Sequence, residues 1–177
     1  TRTKDGIVNS DWIDIGGGDG FYCVFDPDDP EIVYTESQQG YVHRMNMRNG
    51  QVKQLRPEPS EGQKSFRFHW NSPLIASRHA KGTMYLGGNH VFRLSAQGEH
   101  WKMISPDLST QDPNKTVTVG SGAENYAVVY TLAESPVKAG LLWAGTDDGK
   151  LWITENDGQN WTDLSAGLPA PVKGQWI

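Results

Sequence analysis

Two carboxylates in this chain stand where chemistry could be done. Asp147 lies in the run Thr146-Asp147-Asp148-Gly149, and Glu124 lies in the polar segment 105–125. Cleaving a glycosidic bond commonly takes two carboxyl groups, one as proton donor and one as base or nucleophile. Asp147 and Glu124 are the candidate catalytic pair for that work, and Asp148 beside them is a candidate ligand contact. Asp-Gly is also a leading hairpin-turn dipeptide, so a purely local role is the plainer reading of Asp147.

A second group of candidates alternates along the chain as Arg67-Phe68-His69-Trp70-Asn71. In a strand, side chains alternate between faces, so Arg67, His69 and Asn71 would share one side. Asn125 and Tyr126 begin what reads as the next inner strand, so Tyr126 would face the same space. Polar groups beside aromatic faces suit a sugar or a peptide. The competing role for them is bonding between neighbouring strands, since buried polar groups are generally satisfied by structure. An arginine clamp on a sugar carboxylate would need converging guanidiniums. Arg44, Arg67 and Arg93 are available, but Arg44 and Arg93 occupy equivalent repeat positions and read as structural.

Other chemistries lack their residues. The five histidines show no HExxH spacing, and Cys23 is the sole cysteine, so neither a Cys-based metal site nor an internal disulfide is expected. The run "ITENDG" has Ile153 where an EF-hand loop needs its first Asp. "GGGDG" at 16–20 opens no helix that could cradle a phosphate. No metal and no cofactor is therefore expected. A net charge of -5 argues against nucleic acid as a partner. No run of 18 apolar residues predicts a membrane span.

The elements that must position these residues come from an internal repeat. Segments 31–55, 82–104 and 140–164 each hold an apolar triplet ending in an aromatic, at Tyr34, Tyr85 and Trp143. A polar turn follows each, then a second alternating strand, then a Gly at Gly50, Gly98 or Gly158. A further short apolar run precedes each triplet. Four short strands, a to d, in units of roughly 40–50 residues match a β-propeller blade, with a stack of hairpins in a sandwich as the rival. The expected fold is all-β: a partial propeller with three complete blades at 21–58, 66–111 and 126–166. Residues 1–18 read as the end of a preceding blade, and 167–177 as the start of a following one. The chain then reads as an excerpt of a longer protein whose remaining blades are its partners.

Antiparallel strands make successive turns alternate between two ends of a blade. The turn at 154–161 joins strands c and d, so it is expected at the end opposite the long connections 56–65 and 105–125. Connections that long are usually functional or disordered. In "TENDGQNW", Thr154 and Asn156 are expected to bond the turn, Gly158 to take a positive φ, and Trp161 to pack over the hairpin.

That stretch resembles the Asp-box, or BNR repeat, of sialidases and other carbohydrate-active proteins. With "FRFHWNSPLIAS", "HWKMISPDLST", "GSGAENYAVVYTLAESP" and "GLPAPVKG", the chain resembles bacterial WD40/YVTN/BNR-like proteins, which are similar to the sortilin (VPS10) propeller. The resemblance implies a large propeller, often secreted or periplasmic, acting on or holding a glycan or peptide ligand. The glycosyl hydrolase label common in the family implies a xyloglucanase-like alternative. Its motif carries an acid where this chain has Gln38, in Ser37-Gln38-Gln39-Gly40, while Asp147 does match that acid position. The function expected is thus a ligand-binding module, with a secreted glycoside hydrolase as the alternative.

Overall fold

The computed structural model describes residues 6–114, 116 and 125–170. Its twelve strands fall into three four-stranded antiparallel sheets, each in plain chain order. Sheet 1 holds β1 (Cys23–Phe25), β2 (Ile32–Ser37), β3 (Tyr41–Asn46) and β4 (Gln51–Gln54). Sheet 2 holds β5 (Leu74–Ala76), β6 (Met84–Gly87), β7 (Val91–Ser95) and β8 (His100–Met103). Sheet 3 holds β9 (Val129–Glu134), β10 (Leu142–Thr146), β11 (Leu151–Thr154) and β12 (Thr162–Asp163). Only short 3-10 turns interrupt them, and no α-helix occurs among the described residues.

Strand alternation explains how the sheets stack. In sheet 2, Met84 and Leu86 point to one face and join Ile32, Tyr34, Val42 and Phe68 in a core shared with sheet 1. Tyr85 points to the other face and joins Leu108, Val129, Leu132 and Leu142 in a core shared with sheet 3. Burying each such side chain contributes about 1.5–3 kcal/mol. Sheet 2 is thus apolar on both sides, and its first strand β5 packs between β1 and β9.

The β11–β12 turn both closes on itself and fastens sheet 3 to sheet 2. Thr154 Oγ accepts from the Gly158 N–H at 3.0 Å and donates to Asn156 Oδ1 at 3.0 Å. Asn156 Oδ1 also accepts from the Asn160 N–H at 2.9 Å. Trp161 Nε1 donates to the Ile104 carbonyl of sheet 2 at 2.8 Å. Gly158, at φ +82, lies so close to that strand that a Cβ would sit 2.4 Å from the same carbonyl oxygen. The turn shares its end of the sheet with the β9–β10 hairpin, since the Asp157 N–H bonds the Gly140 carbonyl at 2.8 Å.

Three expected strands are displaced. Residues 67–71 are irregular, and the first strand of sheet 2 is β5. The Arg67 N–H and carbonyl are both taken by Asn89, which leaves no ladder for the segment. Likewise 125–128 precede β9: Ala127 has φ +61, and Val128 bonds the Asp147 side chain and backbone. Residues 10–18 form no strand, because no neighbouring strand supplies them a hydrogen-bond ladder. β11 is half-buried.

Candidate functional site

The connections leaving sheets 1 and 2 meet the β6–β7 turn in a cleft of about 480 Å³. Its walls include Lys64, Phe66, Arg67, Asn89, His90, Asp107 and Gln111. Asp107 is the hub. Its Oδ2 accepts from Arg67 Nη2 at 2.9 Å and from Asn89 Nδ2 at 2.9 Å. Its Oδ1 accepts from Ser109 Oγ at 2.6 Å. Burial pushes the Asp107 carboxyl up, but hydrogen bonds from Asn89 and Ser109 and the Arg67 charge outweigh it and hold it below its ordinary value. His90 Nδ1 meets the Ser105 carbonyl at 3.1 Å. A carbonyl only accepts, so Nδ1 carries a proton, and in the neutral ring Nε2 is the acceptor. Phe66 packs edge-on against His90 with centroids 5.7 Å apart. The cleft therefore offers an aromatic wall, an ammonium, an imidazole acceptor and amide groups.

Of the residues singled out from sequence, Arg67 lines this cleft. Its Nη2 also bonds Ser109 Oγ at 3.2 Å and the Ala127 carbonyl at 3.1 Å, so it ties the 105–111 connection to the entry of sheet 3. His69, Asn71 and Tyr126 do not line it. His69 Nδ1 accepts from the Asn71 N–H at 3.0 Å, and its ring packs edge-on against Tyr130 with centroids 4.9 Å apart. Asn71 Oδ1 is buried without a hydrogen-bond partner among the described residues. Tyr126 is 36% exposed. The expected shared face is split because 67–71 is not a strand.

The acidic turn of sheet 3 is buried. Asp147 and Asp148 are each 1% exposed, so neither carboxylate is open to a substrate. Asp147 Oδ1 accepts from the Val128 N–H at 3.0 Å, which pins the turn to the start of β9. Its Oδ2 lacks a partner among the described residues, and burial above all, with Asp148 adding, pushes its carboxyl up to about 6. Asp148 Oδ2 accepts from the Thr110 N–H at 2.8 Å and hydroxyl at 2.7 Å, while Oδ1 accepts from Thr146 Oγ at 2.5 Å. Both acids are fasteners: one within sheet 3, the other between sheet 3 and the connection from sheet 2. Glu124 lies outside the described residues.

Sequence reading missed Asp107, His90 and Glu36. The "SPDLS" run around Asp107 has Asp two residues before Ser, the spacing of a local Asx cap, and that was the available signal. Glu36 had none, being adjacent to Ser37-Gln38 where an acid was looked for. It is 1% exposed; Oε1 accepts from Gly40 and Ser72 N–H groups at 3.3 and 3.4 Å, and Oε2 has no partner among the described residues. Burial pushes its carboxyl up to about 7. Among the described residues, no group of three or more His, Cys, Asp or Glu side chains could hold a metal ion. No helix there is long and apolar enough to cross a membrane.

This arrangement of sheets has relatives among solved structures. The chain is similar in fold to a nutrient-binding protein. That protein is an auxiliary nutrient-binding protein of Bacteroides thetaiotaomicron, at TM-score 0.55 and 12% identity, with 90% of this chain covering 32% of it. The extracellular domain assigned to a one-component system of the same organism follows at TM-score 0.49 and 16% identity, with 89% of this chain covering 17% of it. This chain thus spans a third or less of either neighbour. No protein-family model and no curated protein matches the sequence.

Proposed function

We propose that the chain is a ligand-binding module, a run of three blades from a β-propeller within a longer secreted or periplasmic protein, and that the cleft at Phe66, His90 and Gln111 takes a glycan. The carrying observation is the cleft itself. Its roughly 480 Å³ falls in the range of small-molecule sites, with a few polar groups set around an aromatic wall. A sugar offers hydroxyls to Lys64, His90 Nε2 and Gln111, and a C–H face to Phe66. The nutrient-binding neighbour supports a binding role, and the three sheets in chain order with adjoining first strands support the blade reading. Asp107 is the carboxylate on the cleft wall and is held by Arg67 and Asn89, so no acid–base pair for hydrolysis is set there among the described residues.

The test is calorimetric titration of the protein with a panel of oligosaccharides and peptides. His90→Ala and Gln111→Ala should each weaken glycan binding by about 10- to 100-fold, the loss of one or two good contacts, with the folded β-sheet spectrum retained in circular dichroism. Affinity untouched by both substitutions would move the site elsewhere. Binding of peptides alone would replace the glycan reading. Turnover of any glycan would replace the binding one.

A further inference from the structure

The register across each sheet defines one row of four side chains on the face turned away from the preceding sheet. In sheet 1 the row is Val24, Tyr34, Arg44 and Lys53. In sheet 2 it is Ile75, Tyr85, Arg93 and Lys102. In sheet 3 it is Ala133, Trp143, Ile153 and Thr162. The first two rows are cationic, and each is covered by an acidic turn of the next sheet. Glu99, in the β7–β8 turn, pairs with Arg44 at 2.9 Å and also with Lys53. Asp157, in the β11–β12 turn, pairs with Arg93 and accepts from the Tyr85 hydroxyl at 3.1 Å. The third row carries no charge. Its Trp143 is 39% exposed where Tyr34 and Tyr85 are 1% and 2% exposed.

An acid brought onto the third row would lose water and meet no cation there. An apolar or amide-bearing turn would bury the Trp143 ring at no such cost. This fold already builds such a turn. The Gln97 and Asp157 N–H groups bond the carbonyls of Gly82 and Gly140, and in sheet 1 the Met47 N–H bonds Glu31 in the same way. Met47 therefore holds the place of Asp157, and its turn, Asn46 to Gly50, contains no carboxylate.

We propose that the Ala133–Trp143–Ile153–Thr162 row seats a further four-stranded repeat of the same kind whose covering turn is free of carboxylates, like that of sheet 1 and unlike those of sheets 2 and 3. This rests on the blade reading above and specifies the partner it requires. The charge pattern of the rows makes the repeats non-interchangeable, so it fixes their order.

The experiment extends the full chain at its C-terminus with a copy of residues 21–58, either unchanged or with Met47→Asp in the copy. The unchanged copy should raise the melting temperature by about 4 °C or more and shield Trp143 from acrylamide quenching, measured against Trp143→Phe. The Met47→Asp copy should do neither. With Trp143→Tyr and Ile153→Arg in the parent chain, the melting-temperature preference should reverse. Docking of both copies alike would overturn the charge rule while leaving the blade reading intact. Docking of neither would overturn both. Sedimentation of the unextended chain is the remaining arm: a dimer broken by Trp143→Arg would assign the row to a second copy and overturn the proposal.

Discussion

A carboxylic acid stripped of water holds its proton, and Glu36 is stripped of water. Its folded-state value is raised from 4.5 to about 7, with burial as the leading cause, so the folded state binds a proton that the unfolded state releases. The stability it contributes is full below about pH 4.5 and is lost as pH rises through about 7. Glu36→Gln abolishes that titration. Between pH 4.5 and 7.5 the stability of the variant relative to the parent should climb by about 3 kcal/mol, read from urea midpoints. A difference that stays flat with pH would mean that Glu36 ionises freely in the fold. Asp147, pushed up to about 6, titrates in the same sense, and Asp147→Asn should show a smaller climb. Single residues were the least legible part of the sequence. Asp147 read as a turn-maker or a catalyst, and Asp148 as a ligand contact, because a sequence shows neighbours, not depth. Their 1% exposure follows from the Thr110 and Val128 segments closing over them. His90 became a site residue only because the Ser105 carbonyl, fifteen residues away, fixes its tautomer.

Elements were far more legible, because hairpin chemistry is local. The Thr154, Asn156 and Gly158 spacing describes bonds that close within one turn. Its inter-sheet contact is not local, and two glycines separate the contributions. Gly50 and Gly158 both hold positive φ, at +71 and +82. A Cβ at Gly50 would meet open space, while one at Gly158 would strike the Ile104 carbonyl and side chain. Gly50→Ala should therefore cost only the left-handed backbone penalty, about 1 kcal/mol. Gly158→Ala should cost about 3 kcal/mol or more, because sheet 3 must also back away from sheet 2. Equal costs in thermal melts would show that the turn is not wedged against β8. The failed strand at 67–71 has the opposite cause. Its alternation is real, but Asn89 takes the Arg67 backbone groups.

At the scale of the whole molecule, each junction between sheets gives its buried Tyr hydroxyl one acid as acceptor, but takes that acid from a different strand connection. Between sheets 1 and 2 the Tyr34 hydroxyl donates to Asp26 at 3.2 Å, and Gln97 Nε2 donates to the same oxygen at 3.1 Å. Between sheets 2 and 3 the acid is Asp157, in Gln97's place, while Ser77 stands in Asp26's. The match of Asp26 with Ser77 is exact in hydrogen bonding: each caps the N–H groups two and three residues on. Burial first, and the neighbouring acid next, raises both tyrosines, so both remain hydroxyl donors. Moving the acid across the second junction should then be tolerated. Asp157→Gln alone should destabilise by about 2 kcal/mol, since the buried Tyr85 hydroxyl and the Arg93 guanidinium lose the carboxylate they share. Adding Ser77→Asp should restore the bond, with Glu134→Gln included because Glu134 Oε1 now sits 2.9 Å from Ser77 Oγ and would repel the new acid. The Ser77→Asp, Glu134→Gln pair should destabilise a chain that keeps Asp157 and stabilise one carrying Asp157→Gln, a reversal of sign that denaturant titration of the four proteins would read as a coupling of about 2 kcal/mol. If the pair acts equally in both backgrounds, the two junctions are not versions of one latch, and Tyr85 is held by packing alone.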